Sequence, residues 1–233
     1  MKILAITVMA LFLFSVALAI PAENKADAKN LEKIEFIHYK KDFAKAPAKA
    51  PKPPTCYKFL TPTKVKWQNT VNYVINPTNP QGLDENFVTS TVYNSAETWD
   101  AATSKELMNG YTIDSTATYG VQNYVNAITF GNYPTPGVIA VTTVWYNPTT
   151  KTIVEFDMMF DTDWTWGDAA IDAKKMDLQN IATHELGHVV GLGDVYDSAC
   201  SAATMYGYSW YGDVGKRDLA QPDITGLQKL YGV

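Results

Sequence analysis

The chain has 233 residues, of which 46% are hydrophobic and 18% are charged, and its formal net charge is −5 at pH 7. This composition excludes a disordered or fibrous protein and fits one globular domain with processed ends. From Cys56 onward there are 10 basic and 19 acidic residues, a net charge of −9. A surface that acidic argues against nucleic acid as a partner.

The first 19 residues have the layout of a secretory signal peptide. Lys2 precedes an apolar run from Ile3 to Ala17, and the small-residue pattern Ala17-Leu18-Ala19 follows. A membrane anchor is the alternative, but it requires about 20 apolar residues, and no later stretch of the sequence is apolar enough to cross a bilayer. We therefore predict cleavage near Ala19, a secreted, extracellular protein, and no stable membrane insertion after cleavage.

Residues 20–55 differ in composition from the rest of the chain. They contain eight lysines and five acidic residues and end in the tract AKAPAKAPKPPT, whose prolines favour extended, solvated backbone. The acidic residues and the absence of an interleaved aromatic pattern argue against nucleic-acid binding by the lysines. We predict a solvated spacer or propeptide that is trimmed during maturation, followed by a mature domain covering residues 56–233.

The first half of the mature domain begins with a strand and a helix. TVNYVIN, residues 70–76, alternates and is rich in valine and tyrosine, which is typical of a strand. Residues 83–103 carry apolar side chains at helical spacing and begin near Asp84. The segment 111–163 holds several β-rich runs, of which VIAVTTVWYNPTTKTIVEFDMMFD predicts two strands joined by a hairpin at residues 147–150.

The second half of the domain returns to helical spacing. MDLQNIATHELGHVVG predicts a helix with Asp177 as its N-cap. AQPDITGLQKLYG predicts a short final helix that begins near Pro222 and Asp223. The whole pattern is typical of an α+β domain of a size that can bury its own core.

Two histidines on the penultimate helix indicate a metal site. His184 and His188 are four residues apart, so they lie one turn apart on the same face and can bind one ion. Glu185 is about 100° around the helix from His184, where a general base for a metal-activated water belongs. The pentapeptide alone is moderately specific, because two solvated histidines on an exposed helix are the alternative.

A catalytic zinc usually takes three protein ligands, so a third is needed. No glutamate occurs after Glu185 and no histidine after His188, and His38 lies in the segment predicted to be removed. Aspartate, cysteine and tyrosine remain as downstream candidates. Gly191 stands where the helix must stop and turn, and Asp194, three residues further, is suitably placed.

The run HELGHVVGLGD, residues 184–194, resembles the elongated zinc-binding motif of the metzincin metallopeptidases, in the variant with aspartate as the third ligand. Met205 in SAATMYGY is similarly placed to the methionine turn that lies under the metal in metzincins. AQPDITGLQKLYG and KVKWQNTVNYVINP resemble the end and the opening of the catalytic domain in the matrixin branch. The resemblance covers most of residues 56–233 and implies a metzincin-like α+β domain: a twisted mixed β-sheet, a long N-terminal helix, an active-site helix and a C-terminal helix.

This resemblance implies a secreted, matrixin-like zinc endopeptidase that acts on peptide or protein substrates. His184, His188 and Asp194 would bind one catalytic Zn²⁺, and Glu185 would act as general base. An extended substrate is expected to pair with a sheet edge, for which Val138–Trp145 is one candidate. Two rivals remain: an exported zinc-binding surface or interaction protein without peptidase activity, and an enzyme that hydrolyses a non-peptide amide or ester. We expect a monomer.

Three acidic residues near the hairpin end suggest a further cofactor without assigning it. Asp157, Asp161 and Asp163 are able to bind Ca²⁺, but a solvated strand end accounts for them as well. Three aromatic residues after the methionine turn have an equally open role, since they either shape a side-chain pocket or belong to the core: Tyr206, Tyr208 and Trp210.

The two cysteines, Cys56 and Cys200, predict a disulfide in an exported chain. The bond would tie the start of the mature domain to the loop between Asp194 and Met205. Matrixin propeptides often hold a free cysteine that blocks the zinc, and Cys56 stands near the right boundary for it. However, KPPTCYKFL lacks the arginine, glycine and aspartate that surround that latch. Cys200 as a zinc ligand is a third alternative.

Overall fold

The computed structural model describes residues 30–41 and 55–233, so the predicted signal peptide lies outside the described residues. The strands within this part are β1 (Glu32–Lys40), β2 (Lys58–Phe59), β3 (Val71–Ile75), β4 (Met108–Ile113), β5 (Ala127–Gly131), β6 (Val138–Asn147), β7 (Thr152–Asp161), β8 (Trp166–Gly167), β9 (Met176–Asp177), β10 (Leu192–Gly193) and β11 (Tyr208–Ser209). The α-helices are α1 (Glu85–Asp100), α2 (Leu178–Val189) and α3 (Gln221–Tyr231).

The main sheet is mixed and has the order β11-β1-β6-β7-β5-β3-β4. Five strands make up the part from β6 to β4: β6 and β7 are antiparallel, whereas β5 pairs in parallel with both β7 and β3, and β3 in parallel with β4. β1 and β11 extend the sheet beyond β6. The predicted α+β class is confirmed, including the long first helix, the helix with the histidine motif and the C-terminal helix.

The predicted hairpin is also confirmed. β6 ends at Asn147 and β7 begins at Thr152, so the turn falls on the Asn-Pro-Thr-Thr segment. The Asn147 side chain holds this turn, because its Oδ1 accepts hydrogen bonds from the backbone N–H groups of Thr149 and Thr150. Every residue of β6 is buried, since β6 has strands on both sides and a helix against one face.

The core lies between this sheet and the helices. Asp84 caps α1 by accepting a hydrogen bond from Phe87 N–H at 3.0 Å, as its position predicted. One face of α1 buries four apolar residues at helical spacing: Val88, Val92, Ala96 and Trp99. The Trp99 indole donates to the carbonyl of Thr183 at 2.8 Å, which fixes α1 against α2, the helix that carries the histidine motif.

Cys56 and Cys200 form a disulfide, as predicted for an exported chain. Both sulfur atoms are therefore engaged, and neither cysteine acts as a zinc latch or a zinc ligand in this structure. The bond closes a long loop, with a sequence separation of 144 residues. Among the helices of the described segments, none combines the length and the apolar character needed to cross a membrane.

The structure differs from the sequence expectation at β1. Residues Glu32–Lys40 were expected to belong to a solvated spacer, yet they form a nine-residue strand inserted between β6 and β11. Ile34 and Phe36 pack against the main core, and Ile37 and Tyr39 pack against a smaller apolar cluster. The segment therefore buries apolar side chains on both of its faces, which a lysine-rich spacer would not do.

Candidate metal and catalytic site

The start of α2 is fixed by a buried carboxylate. Asp177 accepts a hydrogen bond from Asn180 N–H at 2.8 Å, the predicted N-cap, and it also accepts from the backbone of Ala169. Arg217 forms ion pairs with Asp177 and Asp168. Its hydrogen bonds to these two carboxylates raise the pKa of the guanidinium above its usual value. These bonds hold the helix in place before the chain reaches the histidine motif.

The end of α2 turns sharply at Gly191. Its φ is +101°, and a Cβ at this position would lie 2.9 Å from the carbonyl oxygen of Val65. Glycine is therefore required both for the backbone angle and for the close approach of a neighbouring chain. β10 then pairs with β2 and returns the chain toward α2, which brings Asp194 back to the two histidines.

Three buried ligand atoms converge beside α2. Asp194 Oδ1 lies 3.2 Å from His184 Nε2 and 3.5 Å from His188 Nε2. Ligands at about 2.0–2.1 Å from a tetrahedral zinc lie about 3.3–3.4 Å from one another. These two distances therefore fit one such ion, and the three ligand atoms all lie within 4.8 Å of one another.

The orientation of the two imidazoles supports the same interpretation. His184 Nδ1 lies 2.7 Å from the carbonyl oxygen of Thr204, and His188 Nδ1 lies 3.0 Å from that of Leu192. Because a carbonyl can only accept, each Nδ1 carries the hydrogen and each Nε2 offers a lone pair when the ring is neutral. Burial lowers the pKa of both rings, to about 4 for His184.

Asp194 completes a cluster of acceptors. Burial opposes its ionisation, but His188, His184 and the Tyr196 hydroxyl outweigh burial and hold its pKa at about 2. Tyr196 donates to the second oxygen, Oδ2, at 2.9 Å. His184 Nε2 and Asp194 Oδ1 are buried and have no hydrogen-bond partner, so two electron-rich atoms face each other, as ligands of a cation do.

Glu185 is fully buried next to this cluster. Its Oε2 accepts a 2.6 Å hydrogen bond from the Thr142 hydroxyl on β6, and its Oε1 lies 3.1 Å from His38 Nδ1. Burial raises the pKa of Glu185 to about 8, although the Thr142 hydrogen bond lowers it. The carboxyl group is thus positioned from two strands, β6 and β1.

Met205 lies under the histidine helix and is completely buried. The backbone N–H groups of Thr204 and Met205 donate to the two oxygens of Asp223 at 2.8 and 3.1 Å, so α3 holds this turn. The Thr204 carbonyl in turn accepts from His184. A chain of hydrogen bonds therefore connects α3 to the His184 imidazole.

The sequence left open whether the three aromatic residues after Met205 belong to the core or shape a side-chain pocket, and the structure separates them by burial. Tyr206 and Tyr208 are buried, whereas Trp210 is 40% exposed. Tyr208 belongs to β11, which flanks β1.

Sequence reasoning set His38 aside, because it lies in the segment predicted to be removed, and it missed Lys216. The Lys216 ammonium donates to the Tyr206 carbonyl and lies 3.2 Å from His38 Nε2. Burial lowers the pKa of Lys216 to about 8. The alternation of Ile34, Phe36 and His38 was the one local signal for a strand here, and nothing local to Lys216 marks it.

The aspartates considered as Ca²⁺ ligands lie outside the cluster of His184, His188 and Asp194. Asp157 accepts from the backbone N–H groups of Gly120 and Val121, and Asp161 accepts from that of Asp163. Two groups in the described segments bring three candidate ligand atoms within 4.8 Å of one another, His184–His188–Asp194 and His38–His184–Glu185. The structure gives these acids no shared site, and we assign them no ion.

The mixed sheet, the three helices and the histidine motif define a domain of the metzincin type. A sequence model described as "Matrixin" matches residues 66–232. The chain therefore belongs to the matrixin family, a family of zinc-dependent metallopeptidases.

Curated relatives agree with this assignment. The chain is 29% identical to stromelysin-1 of Rattus norvegicus over 177 residues, which is 73% of this chain and 34% of the relative. It is 41% identical to human matrilysin over 76 residues, covering 33% and 27% of the two chains, and 40% identical to human matrix metalloproteinase-25 over 77 residues, covering 33% and 13%. The matched region thus spans about a third or less of each relative's length.

Proposed function

We propose that this protein is a secreted zinc-dependent endopeptidase that hydrolyses peptide bonds in extended substrates. The observation that carries the proposal is the convergence of three buried ligand atoms, from His184, His188 and Asp194, next to the buried carboxyl group of Glu185. Membership of the matrixin family supports the same class of reaction. The disulfide agrees with an extracellular location.

His184, His188 and Asp194 would hold the zinc ion. Three protein ligands leave a fourth position open, as catalytic zinc sites do, whereas structural sites use four protein ligands. Bound zinc supplies Lewis acidity, which polarises the scissile carbonyl and makes a water molecule more acidic. Tyr196 fixes the Asp194 carboxylate, and the carbonyls of Thr204 and Leu192 fix the two imidazoles.

Glu185 is the proposed general base. It takes a proton from the attacking water and later delivers it to the leaving amine. Thr142 orients the carboxyl group by donating to Oε2, which leaves Oε1 as the atom on the side where β1 lies. A purely structural metal site needs no buried acid in this position, so Glu185 argues for an enzyme rather than an exported zinc-binding or interaction protein.

The substrate is proposed to bind as an added strand along β6. Within the part of the sheet that runs from β6 to β4, β6 is the outermost strand, and its Thr142 binds Glu185. In this structure β1 pairs with the side of β6 that the substrate would use, so the substrate would take the place of β1. Backbone hydrogen bonds from such an edge bind any extended peptide, and side-chain pockets provide selectivity. This mode is suited to a peptide and not to a small ester or amide.

The test compares the parent with three variants, Glu185→Gln, Asp194→Ala and Asp197→Ala. Zinc content is measured on each intact chain, and casein hydrolysis is measured before and after limited trypsin treatment, with the trypsin then inhibited. We expect the parent to hold about one zinc per chain and to cut casein after treatment. Glu185→Gln should retain zinc and lose cutting, and Asp194→Ala should lose zinc.

Asp197→Ala is the matched control, because Asp197 caps the short 3-10 turn at Ser198–Cys200 and lies three residues from the proposed ligand. Loss of zinc from Asp197→Ala with retention in Asp194→Ala would show that the third ligand is misassigned. A zinc-loaded parent that cuts nothing after treatment would favour the binding-protein alternative. Hydrolysis of small esters or amides without any peptide cleavage would favour the alternative of an enzyme that acts on non-peptide substrates.

A further inference from the structure

Lys216 is a buried cation beside the proposed substrate site. It is 4% exposed, and its ammonium group donates to the Tyr206 carbonyl and to His38 Nε2, which is 3.2 Å away. Neither acceptor is negatively charged, because an imidazole nitrogen that accepts from an ammonium group holds no hydrogen and the ring is then neutral. None of the ion pairs among the described residues includes Lys216. Lysine is rarely buried without an anionic partner, so this cation lacks the group that would offset the cost of its burial.

The carboxylates that favour the charged form of Lys216 are all engaged by other donors. These carboxylates belong to Asp213, Asp194, Glu185 and Asp223. Backbone N–H groups bind Asp213 and Asp223, and hydroxyl groups bind Asp194 and Glu185. Asp194 is also assigned to the zinc ion, whose positive charge offsets its own. An anion that arrives with the substrate is therefore suited to pair with the ammonium group.

His38 marks the place from which a substrate side chain reaches this cation. It lies on β1, opposite Ala140 of β6, where the substrate strand is proposed to bind. Its Nδ1 donates to Glu185 Oε1 at 3.1 Å, and its Nε2 accepts from Lys216 on the other side of the ring. Because the ring touches the proposed base, the substrate residue in the same place adjoins the bond that is cut.

The length of the side chain at this place selects glutamate. The Nε2 atom of histidine and the Oε atoms of glutamate are both four covalent bonds from Cα, so glutamate brings an oxygen to the point where Nε2 meets Lys216. Aspartate is one bond shorter, and its oxygens stop short of the ammonium group. Glutamine has the right length, but its oxygen is uncharged, and a hydrogen bond between charged groups is about twice as strong as one between neutral groups.

We propose that Lys216 determines specificity by selecting extended peptides with a glutamate in the place of His38, next to the bond that is cut. The inference deepens the proposed function and rests on it, because selectivity in cleavage requires cleavage. The selection concerns a single side chain. Residues from Cys56 onward carry a net charge of −9, so the domain does not attract acidic peptides in general.

The first experiment measures cleavage after limited trypsin treatment, with the trypsin then inhibited. Mass spectrometry of the casein products locates the cuts made by the parent. One cut sequence becomes the host peptide, in which glutamate, glutamine, aspartate and leucine are placed in turn at each position that flanks the cut. kcat/KM is measured for the parent, for Lys216→Met, which removes the charge and keeps an unbranched side chain, and for Lys174→Met, the matched control at an exposed lysine.

We expect glutamate to exceed glutamine and aspartate at least about tenfold at one flanking position, because the carboxylate forms a hydrogen bond between charged groups there. The preference should persist in Lys174→Met and fall below about twofold in Lys216→Met. Glutamates placed further from the cut should change kcat/KM less than about twofold.

The second experiment uses the full chain and requires no activity. His38→Glu and His38→Gln are each combined with Lys216 and with Lys216→Met, and urea unfolding is measured with saturating zinc at neutral pH. This double-mutant cycle isolates the interaction between position 38 and Lys216 from the effects of other charges. The ratio of the unfolding constants of the glutamine and glutamate variants should be at least about tenfold higher with Lys216 than with Lys216→Met.

The two experiments separate this inference from the proposed function. If the coupling is found but no peptide is cut, the peptidase function fails, while the pairing of glutamate with Lys216 is upheld. If the parent cuts glutamate and glutamine peptides equally fast at both flanking positions, the specificity proposal is overturned and the peptidase function stands. A glutamate preference that survives in Lys216→Met, or the absence of coupling between position 38 and Lys216, also overturns it.

Discussion

Met205 packs directly against Gly187 on α2: a Cβ built on Gly187 would lie 2.1 Å from Met205 Sδ and 2.7 Å from the Trp99 ring. Gly187 is the residue before His188, so the turn that carries Met205 touches the helix between its two histidines. The absence of a side chain at this position lets the turn lie close under His184 and His188. The contact explains why a residue of low helix propensity occupies the middle of a buried helix.

Gly187→Ala should therefore destabilise the protein, although alanine favours helices by about 1 kcal/mol over glycine. The added methyl group forces Met205 or Trp99 to move, which costs about 1–3 kcal/mol through overpacking. Urea unfolding measures the change. Gly110→Ala is the control, because a Cβ at Gly110 meets nothing within 4 Å. Equal stability of Gly187→Ala and the parent would show that the turn does not press on the helix.

The turn also depends on α3. Asp223→Asn retains the size of the side chain but removes one of the two acceptor oxygens that bind Thr204 and Met205 N–H. We expect a loss of about 1–3 kcal/mol in the free energy of unfolding, since one buried N–H is left without a partner. Asp218→Asn is the matched control on an exposed carboxylate. The prediction is wrong if thermal and urea unfolding of the two variants are alike.

Much of this arrangement could be predicted from the sequence, because it depends on local spacing. The i, i+4 histidines, the glycine that ends the helix, the N-caps Asp84 and Asp177 and the hairpin turn are each encoded within a few residues. The fold class followed from the order of these patterns. The approach of Asp194 to the two histidines required only that the chain turn back at Gly191, as it does.

Two residues of the site could not be predicted. One depends on long-range packing, and the other lies in a segment whose average composition concealed a strand. Lys216 reaches His38 only because the chain after Met205 folds back over α2, and no local pattern encodes that path. His38 was set aside for another reason. The lysine and proline content of residues 20–55 dominated their interpretation, whereas nine of those residues form a strand.

Tyr196 is predicted to tune the metal site through Asp194. Tyr196→Phe removes the 2.9 Å hydrogen bond to Asp194 Oδ2 and leaves the ring in place. Loss of such an outer hydrogen bond typically weakens metal binding by about 10- to 100-fold. Zinc affinity is measured by competition with a chelating dye, and Tyr211→Phe, at an exposed ring, serves as control. An unchanged affinity in Tyr196→Phe would remove Tyr196 from the description of the site.

The disulfide is predicted to contribute substantially to stability. Closing a loop of 144 residues restricts the unfolded chain and is worth about 4–5 kcal/mol in the chain-entropy model. A Cys56→Ser/Cys200→Ser double variant should unfold at lower urea concentration than the parent, and reduction should shift the parent alone. If reductant shifts the parent and the double variant equally, its effect on the parent does not arise from this bond.

Asp157 is predicted to make stability depend on pH. Its pKa is raised from 3.8 to about 7, chiefly by burial and further by Glu155, although the N–H groups of Gly120 and Val121 oppose the shift. Between about pH 4 and pH 7 the native carboxyl group keeps a proton that the unfolded chain has released. The native state then binds more protons, so the free energy of unfolding falls as pH rises through this range.

Asp157→Asn should flatten that part of the profile, because the amide does not titrate and its oxygen can still accept from the Gly120 and Val121 backbone. The measurement is urea unfolding of the parent and the variant at half-unit steps from pH 4 to pH 8. Asp114→Asn is the comparison, since hydrogen bonds from Thr116 lower the pKa of this exposed carboxylate and place its titration below the range. Parallel profiles for the parent and Asp157→Asn would mean that the native carboxyl group is already ionised at pH 4.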